Sequence, residues 1–346
     1  MTLTIGVAGG LVAQALGLPL ALLLGSLFAV GTAAALGWRP LGQAVAVPQR
    51  LRFFFMPVIG VAIGGQFTPA VLAQMPGWWP SLVGLCLFIP AAHFMAYRMY
   101  RRFGPLDPVT AYFGAVPGGL IESVALGEEA GADGRMLVLL QFLRLILTIV
   151  SVPLVFTALT GHAVGSGAGT TLAGSALPLG LWDVAVLVVA GLVGVYAGRA
   201  LRLPAAIMTG PVTASAIVHL AGLTAGGPPD WAVAVTQLVV GTVLGARFAG
   251  LPQGALWLAL RLAALNVTCA MLLAYGFALV FAGWVGQPVA AVFLAYAPGG
   301  LTEMSLIALS LQMSVVYVTA HHVARIVLSV TFAKLFAGRV TGGPRP

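Results

Sequence analysis

The chain has 346 residues, 60% hydrophobic and only 7% charged, with a formal net charge of +8. Soluble domains average about 25% charged residues. The 16 Lys and Arg and 8 Asp and Glu here cannot coat a soluble surface. That excludes a soluble enzyme, a secreted disulfide scaffold, a fibrous protein and a disordered chain, and leaves a polytopic membrane protein.

In chain order, the first half reads as six apolar elements at roughly 3–17, 18–37, 53–73, 78–98, 108–127 and 136–159. The second half reads as six more at roughly 181–200, 203–223, 231–249, 254–282, 288–310 and 314–337. Runs of about 20 apolar residues can span a bilayer as helices, whereas a barrel would show alternating segments of about ten. The 45 glycines and 22 prolines are compatible with transmembrane helices, which tolerate both. The first positive residue is Arg39, so a cleavable signal peptide is not expected. A small-residue linker without positive charge separates the halves. The division is a first repeat over 1–160, a linker over 161–180 and a second repeat over 181–346.

The halves read as a duplication. Pro117-Gly118-Gly119-Leu120-Ile121-Glu122 matches Pro298-Gly299-Gly300-Leu301-Thr302-Glu303 at a shift of 181. The same shift carries Arg144 onto Arg325, Gln141 onto His322, Gly60 and Gly64 onto Gly241 and Gly245, and Phe67 onto Phe248. At a shift of 185, Leu18-Pro19 matches Leu203-Pro204 and Gly25 matches Gly210. Coincidences in this order indicate an internal repeat.

Positive charge sets an expected orientation. Arg39, Arg50, Arg52, Arg98, Arg101, Arg102, Arg135, Arg199, Arg202, Arg247, Lys334, Arg339 and Arg345 lie beside segment ends. They all fall on the cytoplasmic side if the PGG elements re-enter and the others span. This fold class is an all-α integral membrane protein. It has about ten spans, two re-entrant or broken PGG elements and two pseudo-symmetric, inverted repeats. A rival arrangement makes the first element of each half re-entrant and places Arg135 and the C-terminal cations outside. Scattered basic residues of this kind argue against a nucleic-acid face.

Proline disfavours helix in the residue before it, and paired glycines permit irregular backbone. In a membrane, such backbone is tolerated only where it is buried or lines water. Pro117, Gly118, Gly119 and Pro298, Gly299, Gly300 therefore read as paired helix breaks forming a substrate-binding site, or else as kinks in tightly packed helices. A helix restarting after each break offers an anion free N–H groups and a positive dipole end. Glu122 and Glu303 stand in those first turns, where they complement the dipole or carry a coupling proton or cation.

Arg144 lies about 13 Å into its run, near the middle of a ~30 Å core, and Arg325 matches it. Their expected partners are Glu122, Glu303 or an anionic substrate. Gln141 and His322 share their helix faces. His321 sits four residues before Arg325, so at least one of the two histidines faces the same way. Histidine titrates near neutral pH and can relay a proton.

The Gly60/Gly64 and Gly241/Gly245 pairs read as close helix contacts. Trp78, Trp79, Trp182, Trp231 and Trp284 stand at segment ends, as interfacial anchors do. Cys86 and Cys269 lie in apolar runs and read as core packing, implying neither a disulfide nor a metal site. Thr110, Thr302 and Gln66 are polar in apolar surroundings. There is no metal-ligand helix motif, nucleophile elbow or phosphate-binding loop, so no cofactor, metal or enzyme activity is expected.

The stretch TAYFGAVPGGLIESVAL followed by QFLRL resembles the AbrB-type bacterial membrane proteins with a duplicated domain. FLAYAPGGLTEMSLIAL followed by HHVARI fits the same pattern, as do LGLPLALLLGSL and IGVAIGGQF. The resemblance covers nearly the whole chain, and the two PGGLxE motifs are its most specific part. Members carry the labels ammonia monooxygenase and AbrB regulator. The first would want metal ligands, and the second shares its name with a small DNA-binding protein that this chain does not resemble. The resemblance implies a multi-pass inner-membrane protein.

Read together, these features point to a secondary transporter of a small anionic solute, working by alternating access in the bacterial inner membrane. Arg144, Arg325 and the two breaks would bind the solute, and Glu122, Glu303, His322 and Gln141 would serve coupling. Its partners would be the lipid bilayer and the solute, with no nucleic acid and with a homo-oligomer left open. The alternative is a membrane sensor or accessory protein acting indirectly on gene regulation, with a membrane-bound monooxygenase third.

Overall fold

The computed structural model describes residues 1–39, 42–48, 50–160, 179–250 and 253–341. Most of the linker and Arg345 lie outside the described residues. The first half carries α1 (Thr2–Ala15), α2 (Ala21–Ala35), α3 (Arg50–Gly64), α4 (Pro69–Gln74), α5 (Trp79–Phe103), α6 (Pro108–Gly114), α7 (Leu120–Glu129) and α8 (Gly134–Thr160). The second carries α9 (Leu181–Ala200), α10 (Ala206–Leu220), α11 (Asp230–Ala246), α12 (Gln253–Val285), α13 (Val289–Tyr296), α14 (Leu301–Ser310) and α15 (Val315–Thr341). A short 3₁₀ turn at Met75–Trp78 joins α4 to α5. There is no β-strand among the described residues.

Among the described residues, five stretches are long and apolar enough to cross a membrane: Pro69–Phe103, Gly134–Ala158, Leu181–Ala200, Gly254–Val285 and Val315–Gly338. The remaining apolar helices, such as Thr2–Ala15 and Ala206–Leu220, are shorter. At 1.5 Å per residue, a 15-residue helix covers only about 22 Å of a ~30 Å core.

The helices gather into two compact units. The first comprises residues 1–74, 150–251 and 305–316, and the second comprises 75–149, 252–304 and 317–346. Each unit draws on both halves of the chain.

In the first unit, α1 packs on α2, α2 on α11, α11 on α3, α3 on α10, and α10 on α9. Glycines allow these approaches. A Cβ on Gly60 would meet Met208 O and Pro211 Cβ, and one on Gly64 would meet Val212 O. A Cβ on Gly241 would meet Leu23 O and Ser26, and one on Gly245 would meet Leu27 O and Val30. The shift of 185 carries Leu23, Ser26, Leu27 and Val30 onto Met208, Pro211, Val212 and Ser215. The two glycine pairs thus seat on equivalent ridges of α10 and α2. α2 and α10 also begin alike, after Leu20 at φ 44° and Ala205 at φ 50°, just past the two Leu-Pro pairs.

In the second unit, α5 packs along α12, and α13 touches both. α6 and α7 lie beside each other, and α5 also contacts α6.

Three sequence expectations are corrected. The element expected at 53–73 is two helices, because α3 ends at Gly64 and Pro69 starts α4. Trp78 is not a surface anchor. It is buried, with its ring set edge-on against Tyr317 at 5.3 Å. Cys86 is exposed and Cys269 only half-buried, so neither fills a core.

Candidate functional site

The second unit contains both PGG motifs, and each interrupts a helix. α6 ends at Gly114 and α7 starts at Leu120. α13 ends at Tyr296 and α14 starts at Leu301. At the first break Gly119 adopts φ +66°, a left-handed conformation that glycine takes at little cost. Contacts also hold these positions to glycine. A Cβ on Gly118 would press on Ser329 and on the carbonyl oxygen of Arg325. A Cβ on Gly119 would meet Val330 of α15 and Glu122, and one on Gly300 would meet Glu303. Both glutamates therefore fold back over the second glycine of their own motif. Their burial differs sharply: Glu303 is 4% exposed, whereas Glu122 is exposed.

A broken helix leaves carbonyls without partners at the end of its first segment. Here buried arginines supply the donors. Arg144 on α8 donates from Nη1 to Val116 O. Arg325 on α15 donates from Nη1 to Ala297 O and from Nη2 to Gly299 O. Val116 and Ala297 match each other at the same shift of 181 as the arginines. The preceding turn repeats the pattern. Gln141 Nε2 donates to Phe113 O at 3.0 Å, and His322 Nε2 donates to Leu294 O at 2.9 Å. Each long helix thus grips the C-terminal end of the short helix before its own PGG motif. Cations at that end also complement the helix dipole.

The two breaks meet. A cavity of about 10 Å³, room for roughly one water, is lined by Pro117, Pro298, Arg144, Asn266, Phe88 and small alanines. Asn266 donates to the Tyr100 hydroxyl at 2.8 Å beside it. Both arginines are buried, and the Nε–H of each has no hydrogen-bond partner. Their charges lie close enough to repel each other.

The sequence-derived residues are brought together only in part: neither glutamate lines the cavity, and Glu122 is exposed. Pro117 and Pro298 line the cavity with Arg144, and Gly118 packs against the backbone of Arg325. Arg325 in turn holds Gly299 O. That backbone carbonyls meet the guanidiniums, and that Asn266 and Tyr100 stand beside them, was not anticipated from sequence. Polar side chains inside apolar runs were the available signal. Among the described residues, no group of three or more His, Cys, Asp and Glu is placed to hold a metal ion.

Long apolar helices, two helix breaks at PGG motifs, and buried guanidiniums at both breaks mark an α-helical membrane protein. The chain belongs to the AbrB family, whose model, described as "Transition state regulatory protein AbrB", matches residues 22–341. It is similar to "Uncharacterized protein YhjN" of Bacillus subtilis (strain 168), at 26% identity over 96% of this chain and 91% of that protein. It is also similar to "Putative regulator AbrB" of Escherichia coli (strain K12), at 25% identity over 84% of this chain and 81% of that protein.

Proposed function

We propose that this chain is a secondary transporter that moves a small anion across the bacterial inner membrane by alternating access. The observation that carries the reading is the pair of buried arginines, each with an unpaired Nε–H, at two helix breaks that share one cavity. An unpaired buried donor costs about 1–3 kcal/mol, so an arrangement that keeps two of them calls for an acceptor. Two mutually repelling cations favour an anionic one. Discontinuous helices facing each other are the usual form of a transporter's midplane site.

The reading takes the shorter apolar helices as further spans, giving ten spans and two broken elements, with the two halves inverted. Arg144, Arg325 and the two PGG segments form the solute site. Gln141 positions the first break, and Glu122 and Glu303 are candidates for coupling. No catalysis and no bound cofactor enter this reading.

The experiment begins with a thermal-shift screen of inorganic phosphate and small carboxylates on purified protein, because a ligand of the native state raises apparent stability. The anion that shifts the transition is then followed into liposomes. Arg144→Gln and Arg325→Gln, each retained as folded protein, should lower flux at least tenfold, the equivalent of about 1.4 kcal/mol. Full flux in both variants refutes the anion site. The name "Putative regulator AbrB" of the E. coli relative favours a second reading, a membrane sensor, which predicts a bound partner and no flux.

A further inference from the structure

The two histidines side by side on α15 hold opposite hydrogen-bonding positions. His322 is locked as a neutral ring. Its Nε2 faces Leu294 O, an acceptor, so it carries the hydrogen. Its Nδ1 faces Arg325 Nη2 at 3.0 Å, a group that only donates, so it must accept. A second proton on His322 would set N–H against N–H and expel the arginine from its break.

His321 is different. Its Nδ1 faces Tyr317 O at 2.8 Å and must donate. Its Nε2 faces the Ser81 hydroxyl at 2.8 Å, a group able to donate or accept. Ser81 Oγ also lies 2.9 Å from Trp78 O and receives the Tyr317 hydroxyl at 2.9 Å. With a neutral ring, the single Ser81 hydrogen goes to Nε2 and Trp78 O loses it. With a protonated ring, Nε2–H donates to Ser81 Oγ, the Ser81 hydrogen turns to Trp78 O, and the Tyr317 bond stays. Ser81 then donates once and accepts twice, its full capacity. Each of these contacts is satisfied in the charged state by one hydroxyl rotation, with no heavy atom displaced.

The repeat adds an independent observation. At the shift of 181, Tyr296, Tyr317 and His321 match Ala115, Met136 and Leu140. In the first half all three matching positions are apolar and buried, so the architecture does not require these polar groups.

We infer that His321 is the proton-binding residue of this chain, with Ser81 as the hydroxyl that switches between the two protonation states, and that His322 never titrates. The groups facing His321 are Tyr317 on its own helix, Tyr296 on α13 and Ser81 on α5, with His322 beside it and Cys86 beyond Tyr296. Tyr296 fixes this arrangement by donating to the backbone carbonyl of Ser81 at 2.5 Å. Arg325 lies one helical turn from His321. An anion held there offsets the positive ring, which makes a proton the coupling ion; this last step rests on the transport reading.

The test is a titration of ring-¹⁵N-labelled histidine in the purified full chain by NMR, from pH 8 to pH 4.5. His321→Gln and His322→Gln provide the assignments. The expected result is one buried ring whose Nε2 changes from acceptor to N–H, absent in His321→Gln and kept in His322→Gln. Ser81→Ala should weaken that proton's binding about tenfold. A His321 ring that stays in one tautomer down to pH 4.5, a titrating His322, or a Ser81→Ala variant with unchanged binding would each overturn the inference. No flux is needed. A silent His321 leaves transport standing, and a wild type without flux leaves the titration standing.

Discussion

The residues at the two ends of α6 show why charge is kept where it is scarce. A seven-residue helix is marginal on its own, since nucleation is costly and few bonds follow. Side chains hold both of its ends. Asp107 Oδ1 accepts from the backbone N–H groups of Val109 and Thr110, each at 2.9 Å, while Arg144 reaches Val116 O just past the other end. The signs suit the helix dipole at both ends. Partial burial pushes the Asp107 carboxyl up, but hydrogen bonds from the Thr110 side chain and from the Thr110 and Val109 amides outweigh it, so its pKa lies below the ordinary 3.8. A lowered folded pKa means that the charged form stabilises the fold above the unfolded value, and that this contribution fades as pH falls through the folded value. Asp107→Ala should cost about 1 kcal/mol at pH 7, the usual value of such a cap, with the charge part discounted because solvent screens an exposed group. The gap in melting temperature between wild type and variant in detergent should narrow at pH 3; an equal gap at both pH values would show that the charge plays no part. Arg144 stood out in the sequence because a cation inside an apolar run is rare and Arg325 matches it in the second half. Its carbonyl partner did not, because backbone acceptors carry no residue-type signature.

Among the helices, the glycine pairs on α3 and α11 decide which can approach. The GxxxG spacing was legible, but the partner ridges on α10 and α2 were not, because periodicity defines a face without saying what meets it. The break between α3 and α4 was hidden for a related reason, since Phe67-Thr68-Pro69 interrupts an apolar stretch without interrupting its composition. Gly64→Ala places a methyl 2.6 Å from Val212 O, a backbone atom that can yield only if α10 moves. Overpacking of this kind costs typically about 1–3 kcal/mol. Gly276 on α12 is the control, because nothing lies within 4 Å of its Cβ position and alanine is the better helix former. Gly64→Ala should lower the melting temperature in detergent by several degrees while Gly276→Ala leaves it level or raises it. Equal behaviour of the two variants would mean that the α3–α10 approach is not tight.

For the molecule as a whole, the central question is whether the two halves are inverted. Residues of the two halves recur in the same order, and the bonds of Arg144 with Val116 and Arg325 with Ala297 place matching chemistry at matching positions. What sequence could not convey is that each compact unit mixes both halves, because that depends on long-range partners. Orientation relative to a membrane follows from charge instead. Arg98, Arg101 and Arg102 crowd the C-terminal end of α5, whereas no Lys or Arg occurs between Arg261, near the start of α12, and Arg325 on α15. On the positive-inside tendency, the C-terminal end of α5 is expected in the cytoplasm and the C-terminal end of α12 outside. These are corresponding ends of helices that pack along each other in one unit. In a Cys86→Ala, Cys269→Ala background, Phe103→Cys and Val285→Cys should react with an impermeant thiol reagent from opposite faces of oriented membrane vesicles. Phe103→Cys should label only from the cytoplasmic face and Val285→Cys only from the other. Labelling of both from the same face would sink the inverted arrangement and with it the two-sided access that alternating transport requires.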